Sequence, residues 1–231
     1  MPKSKIIKEL ANGTVTTVVA LKRAKILLQE FDNDALLEWV NYELTGYPPD
    51  KTLLPKYRIK KGQLSGSYIK GSFANHVQYK NVPLPIGKMP DDLANDFLSI
   101  FFNDGIEELT QLMETSNGKP IGKTIPADLY PSIALYNKDP YMKIISASVK
   151  INPQSIQGIL TTVESKLLDL FCYLEKEFGI LDELDIDVDS KTPEEQKDIV
   201  DHISLLIYND HRVSIGDNNR IKGSTIASST E

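Results

Sequence analysis

Apolar residues along this chain recur first at helical and then at strand spacing. Ser4 to Ala11 reads as a short helix stopped by Asn12-Gly13. A second helix is expected from Thr16 to Phe31, where Ala20, Ala24, Leu27 and Phe31 line one face and Lys22, Lys25 and Gln29 another. Asp32-Asn33-Asp34 is a turn, with Asp34 as the expected N-cap of a third helix. Its stripe is read as Leu37, Val40, Leu44 and Tyr47; Gly46 ends it, and Pro48-Pro49 forbid continuation.

From Tyr57 to Tyr79 the period changes to two. Tyr57, Ile59 and Lys61 alternate, as do Phe73, Asn75, Val77 and Tyr79, with Gly62, Gly66 and Gly71 between them. Two or three antiparallel strands with bulges or tight turns are expected, left by an extended Val82-Pro83-Leu84-Pro85. Pro90 to Thr115 reads as helical with a break at Asn103-Asp104-Gly105, and Ser116 to Asp139, which carries Pro120, Pro126 and Pro131, as irregular. Tyr141 to Ile151 alternates as a strand.

The clearest element runs from Pro153 to Phe178. Ile156, Leu160, Val163, Leu167, Leu170 and Leu174 step by four, three, four, three and four, and Gly179 stands where a stop belongs. This heptad seam fits either a central helix in a bundle or a contact between copies. Asp182 to Ser190 reads as an acidic loop. Thr192-Pro193-Glu194-Glu195 is a capping box that opens a last helix with Ile199, Ile203 and Leu206.

The fold class is therefore α+β: N-terminal helices, a small antiparallel sheet, a long C-terminal helix with a helical hairpin, and a short β tail. Expected bounds are 1–150 for an α+β domain, 151–210 for a helical region and 211–231 for a polar tail. In that tail Ile215 and Ile221 are six apart, the spacing of a β-helix rung. Too few rungs are present to bury an apolar face alone, so the tail either frays or pairs with the tails of other copies.

Composition narrows the chemistry. Hydrophobic residues make up 41 %, enough for a core, and net charge is −6. An acidic chain argues against sequence-independent nucleic-acid binding but leaves room for a local basic patch. The single Cys172 cannot form an internal disulfide, which fits a reducing, cytoplasmic setting. No apolar run approaches the roughly 18 residues of a membrane span. The opening MPKSKIIKELANG lacks the features of a secretory signal.

The motifs that suggest chemistry are incomplete. NGKPIGKT (Asn117–Thr124) matches only the second half of a phosphate-cradling loop, and Pro120 has no N–H to donate, so it reads as a surface loop. Asp185, Asp187 and Asp189 begin like a calcium loop, but Ser190 and Gln196 stand where Gly and Glu are needed. Cys172 reads as a buried, inert thiol. His76, His202 and His211 stand too far apart for a metal-ligand spacing. No cofactor is expected, and no catalytic residue is assigned.

Three blocks add context: EWVNYELTGYP (Glu38–Pro48), LPKYR (Leu54–Arg58) and NVPLP (Asn81–Pro85). In this order and spacing, residues 3 to 90 resemble the AbiTii domain of abortive-infection phage defence. The resemblance implies an antiviral context and carries over no catalytic set. The tail VSIGDNNRIKGSTI is similar to polar segments that follow sensor or effector domains in bacterial conflict proteins. The Ser/Thr-rich end at Glu231 is compatible with a further effector segment.

The expectation is a sensing, regulatory or assembly module, a homo-oligomer with a phage or effector protein as further partner. Its interface residues would be Ile156, Leu160, Val163, Leu167, Leu170, Leu174, Ile215 and Ile221. Trp39, Tyr47 and Tyr57 either pack a helix–strand corner or form a binding surface. The alternative is a toxic effector enzyme acting on nucleic acid or nucleotides, its groups drawn from Asp, Glu and His76.

Overall fold

The computed structural model describes residues 3–72 and 74–208. Among them the chain runs α1 (Lys5–Ala11), α2 (Thr17–Gln29), α3 (Asp34–Thr45), β1 (Ile59–Lys61), β2 (Gln63–Gly71), β3 (His76–Pro83), α4 (Asp91–Leu98), β4 (Ser99–Phe101), α5 (Ile106–Thr115), β5 (Ile121–Thr124), α6 (Tyr130–Tyr136), β6 (Met142–Ile151), α7 (Gln154–Phe178) and α8 (Pro193–Tyr208). This is the expected α+β architecture. The tail, with Ile215, Ile221 and His211, lies outside the described residues.

Capping sets the helix bounds. Thr16 caps α2 by accepting from the Val19 N–H at 3.3 Å. Asn33, not Asp34, caps α3, accepting from Leu36 N–H at 3.2 Å. Gly46 ends α3 at φ 96°, a left-handed conformation. The capping box of α8 forms as expected: the Glu195 carboxylate accepts from Thr192 N–H at 2.8 Å, and Thr192 Oγ1 accepts from Glu195 N–H at 3.3 Å. The start of α1 is capped by side chains distant in sequence. Glu175 of α7 accepts from the Ser4 N–H at 2.5 Å and the Ser4 hydroxyl at 2.7 Å, and Asp182 accepts from the Lys5 N–H at 2.6 Å. Free N–H groups at a helix start favour such carboxylates.

The stripe of α3 differs from the reading above. Leu36, Trp39, Val40 and Glu43 are buried, whereas Leu37 and Leu44 are only half-buried. Rotating the helix by one residue turns the Trp inward, and a carboxylate with it. The expected break at Asn103-Asp104-Gly105 begins earlier, because Ser99–Phe101 form β4, paired antiparallel with β1. The stretch expected to be irregular contains β5 and α6.

The four-stranded sheet is antiparallel throughout, in the order β3-β2-β6-β5. On its inner face Leu64, Ala147, Val149 and Ile151 are buried. Bulges interrupt both the β2–β3 and β2–β6 pairings near Ser67. Close packing there requires Gly66, since a Cβ would sit 2.1 Å from the Ser146 carbonyl oxygen. Beyond the bulges the sheet leaves the core, and β3 is exposed along almost its whole length.

One apolar cluster runs from Ile6 to Ile207, with α7 inside it. Residues 154–208 therefore pack into the same core as the preceding ones, and the division at 150/151 separates no independent core. Ile156, Val163, Leu167, Leu170 and Leu174 are wholly buried and Leu160 nearly so, within a single chain. The seam thus offers no exposed surface to another copy. Lys166, also buried, lies on the same helix and donates to the carbonyls of Leu206 at 3.1 Å and Ile207 at 2.8 Å, so it closes the end of α8.

Candidate functional site

The densest polar chemistry lies where α3 turns into the sheet. Pro48, Pro49 and Pro55 set the chain direction, and Lys56–Arg58 form a 3₁₀ turn. The turn brings Arg58 to Glu43, both with wholly buried side chains. Arg58 Nη2 donates to Glu43 Oε2 at 2.6 Å and Arg58 Nε to Oε1 at 3.2 Å. The hydroxyls of Tyr47 and Tyr57 donate to the same Oε1 at 2.7 and 2.5 Å. Trp39 Nε1 donates to the Tyr57 hydroxyl at 3.2 Å. The sequence candidates Trp39, Tyr47 and Tyr57 are thus brought together, and Trp39 and Tyr47 are buried rather than exposed.

Arg58 Nη1 donates to the carbonyls of Phe102 at 3.0 Å and Asp104 at 2.6 Å, and its guanidinium lies 4.8 Å from the Tyr47 ring centre. Asn103 Nδ2 adds a bond to the Pro48 carbonyl at 2.8 Å. The arrangement ties α3, the 3₁₀ turn and the loop before α5 into one corner. Burial pulls the Arg58 guanidinium down, but the adjacent Glu43 outweighs it and holds it above its ordinary range. Burial and then Glu43 push the Tyr47 and Tyr57 hydroxyls far up, so both stay protonated donors. Both carboxylate oxygens are thus engaged, Oε1 by three donors and Oε2 by the Arg58 guanidinium.

Sequence reasoning missed Glu43 and Arg58. The one available signal was Glu43's place on the Leu36–Trp39–Val40 face, three residues beyond Val40. A pocket of about 250 Å³ adjoins the corner, lined by Trp39, Tyr42, Tyr47, Leu54, Lys56 and Tyr208 among others.

A larger cleft of about 760 Å³ lies between α6 and the start of β6, lined by Tyr130, Ala134, Leu135, Asp139, Met142 and Ile144 among others. Its surroundings are apolar and open: Leu135 is 73 % and Tyr141 63 % exposed. Cross-strand register places Tyr68 between Ile144 and Tyr79, and the two tyrosine rings stack at 4.6 Å. The apolar ledge thus reaches β3, where Val77 is 56 % exposed.

The remaining candidates scatter. Ile121–Thr124 of the expected loop form β5, and Lys123 donates to the Ser99 carbonyl at 2.6 Å, so its amine is held by protein. The acidic loop is anchored on the core by Ile186 and Val188. Cys172 is half-buried, its thiol pushed up by burial. His202 stacks on Tyr173 at 4.0 Å, and His76 lies exposed on β3. Among the described residues no group of three His, Cys, Asp or Glu is placed to hold a metal ion, and no helix is long and apolar enough to cross a membrane.

No curated protein and no solved structure matches the chain. The AbiTii family model matches residues 4–201, which takes in the buried corner, the whole sheet and most of α8. On that match the chain belongs to the AbiTii family, whose name points to abortive-infection phage defence.

Proposed function

We propose that the chain serves antiphage defence as a sensing and assembly module, and that its working surface is the β3 edge with the apolar ledge and cleft beside it. The observation that carries this reading is the sheet end itself. Exposed apolar side chains such as Val19, Ile26 and Ile180 stand on other elements, but here Val77, Tyr79, Leu135 and Tyr141, the most exposed of them included, gather around a sizeable cleft. Among the described residues the outer edge of the eight-residue β3 pairs with no other strand, and it carries Lys80 and a terminal Pro83. A second copy of the chain, adding its own β3 antiparallel, would satisfy both edges in one self-complementary contact. The buried corner supports this reading as a scaffold that fixes where the sheet leaves the core.

Light scattering on the purified chain tests it. A dimer of twice 25.9 kDa is expected at micromolar concentration. Val77→Lys, which adds a charge to the edge, is expected to give a monomer with an unchanged circular dichroism spectrum. A wild-type monomer at all concentrations, or a Val77→Lys variant that remains dimeric, would refute the β3 interface.

A further inference from the structure

Charge is distributed unevenly in this acidic chain. Residues 51–90 contain no Asp or Glu at all, although the sequence holds 32. The four strands of the larger sheet carry Lys70, Lys80, Lys123, Lys143 and Lys150 and no acidic residue. Two of these amines are held by protein: Lys70 pairs with Asp139 at 3.0 Å and Lys123 bonds the Ser99 carbonyl. Lys80, Lys143 and Lys150 are exposed and make no ion pair among the described residues.

The register fixes what surrounds them. Leu64 and Val149 form a pair on the inner, buried face, so the neighbouring pairs Gln63–Lys150 and Ser65–Ser148 face outward. Past the bulge, Tyr68 and Ile144 share the inner ledge, so the pair Ile69–Lys143 faces outward too. Among the described residues no helix covers Lys143 and Lys150, which are exposed. Lys143 and Lys150 stand seven residues apart on one strand, about 23 Å at the rise of a β-strand. Short hydroxyls fill the space between them.

We infer that this outer sheet face docks the phosphate backbone of double-stranded nucleic acid. Phosphate oxygens are contacted mainly by lysine or arginine, by hydroxyl and amide side chains and by backbone N–H groups, and this face offers lysines, Ser65 and Ser148. An acid-free surface lets a polyanion approach without like-charge repulsion, while the chain's negative charge lies beyond the sheet and is screened within about 10 Å at 0.1 M salt. Single-strand binders stack bases on aromatic side chains. The outward positions of β2 and β6 carry none, so the recognition is of backbone and shape. An acidic peptide would also be drawn to the lysines, but the regular hydroxyl rows suit a repeating phosphate array better. Lys143 also lines the cleft and Lys80 stands on β3, so this face adjoins the proposed dimer surface, and light scattering on the Lys143→Gln, Lys150→Gln variant, expected to keep the wild-type mass, separates the two readings.

The test is fluorescence anisotropy of the full chain with a labelled DNA duplex of about two helical turns, roughly 20 base pairs, titrated from 50 to 200 mM salt. Three neutralised phosphates predict a slope of log affinity against log salt near −2.7, from about −0.9 per contact. Lys143→Gln with Lys150→Gln is expected to weaken binding at least ten-fold at 50 mM salt and to flatten the slope by about 1.8. Lys22→Gln, on the solvated face of α2, is expected to leave both unchanged. The proposal is overturned by an absence of duplex binding at 50 mM salt, by binding that ignores the double substitution, or by equal binding to phosphatidylserine vesicles or polyglutamate.

Discussion

Glu43 is the residue on which the corner depends. Removing one partner of a buried ion pair leaves the other charge unpaired, at a cost of about 3–5 kcal/mol. Glu43→Gln is therefore expected to lower stability by that order in urea unfolding, and the paired change of Glu43 and Arg58 to Met to restore much of it. Glu175 gives a second prediction at this scale. Burial pushes its carboxyl up, but hydrogen bonds from Lys3 and Ser4 prevail and bring it down to about 2. With a folded value below its ordinary 4.5, its contribution is complete above pH 4.5 and is lost as pH falls towards 2. Glu175→Gln is expected to flatten the melting temperature against pH in that window, and an unchanged acid limb would exclude the latch between α1 and α7. Neither role was legible in sequence. Glu43 and Arg58 are 15 residues apart and Ser4 and Glu175 are 171 apart, so no local spacing rule joins them. The aromatic residues were legible as a group, but their orientation was not, because one residue of helix rotation exchanges Leu37 for Leu36 at the core.

Element by element, α7 was the most readable and its surroundings the least. Its heptad steps and Gly179 stop define the helix to within one residue. The same stripe serves equally for a partner chain or for the chain's own helices, and periodicity alone cannot distinguish them. In the fold the stripe is enclosed by the chain itself. Leu167→Ala should therefore act through a cavity, costing about 2–5 kcal/mol in chemical unfolding and leaving the mass in solution unchanged. A change in mass with little loss of stability would restore the seam as an interface. The strands follow a related logic. The alternating runs that end at Lys61 and Tyr79 and the run from Tyr141 to Ile151 fall on β1, β3 and β6, whereas β2, which pairs with both β3 and β6, shows only its glycines in the sequence, and β4 and β5, of three and four residues, are not legible there as strands. Their pairing is set by tertiary context.

At the scale of the molecule, the helices build most of the core, the helices and the loops between them carry the acidic charge, and the sheet extends from that core as a basic, partly apolar platform. The three sequence blocks that resemble AbiTii map onto the junction between these parts. Glu43 lies in the first block and Arg58 in the second. The third ends β3, where the buried Leu84 bonds back to the Leu64 carbonyl at 2.9 Å. The family signature therefore reports the joint that orients the platform, and the match over residues 4–201 extends it to the core around α7. The central claim is that association uses the β3 edge while α7 serves only its own chain. Amide hydrogen exchange measured at several protein concentrations tests this directly, because it reads both elements in one experiment. The account predicts that exchange in residues 76–83 slows as concentration rises, while α7 is equally protected throughout. Exchange in β3 that is independent of concentration, with protection of α7 that grows, would contradict it.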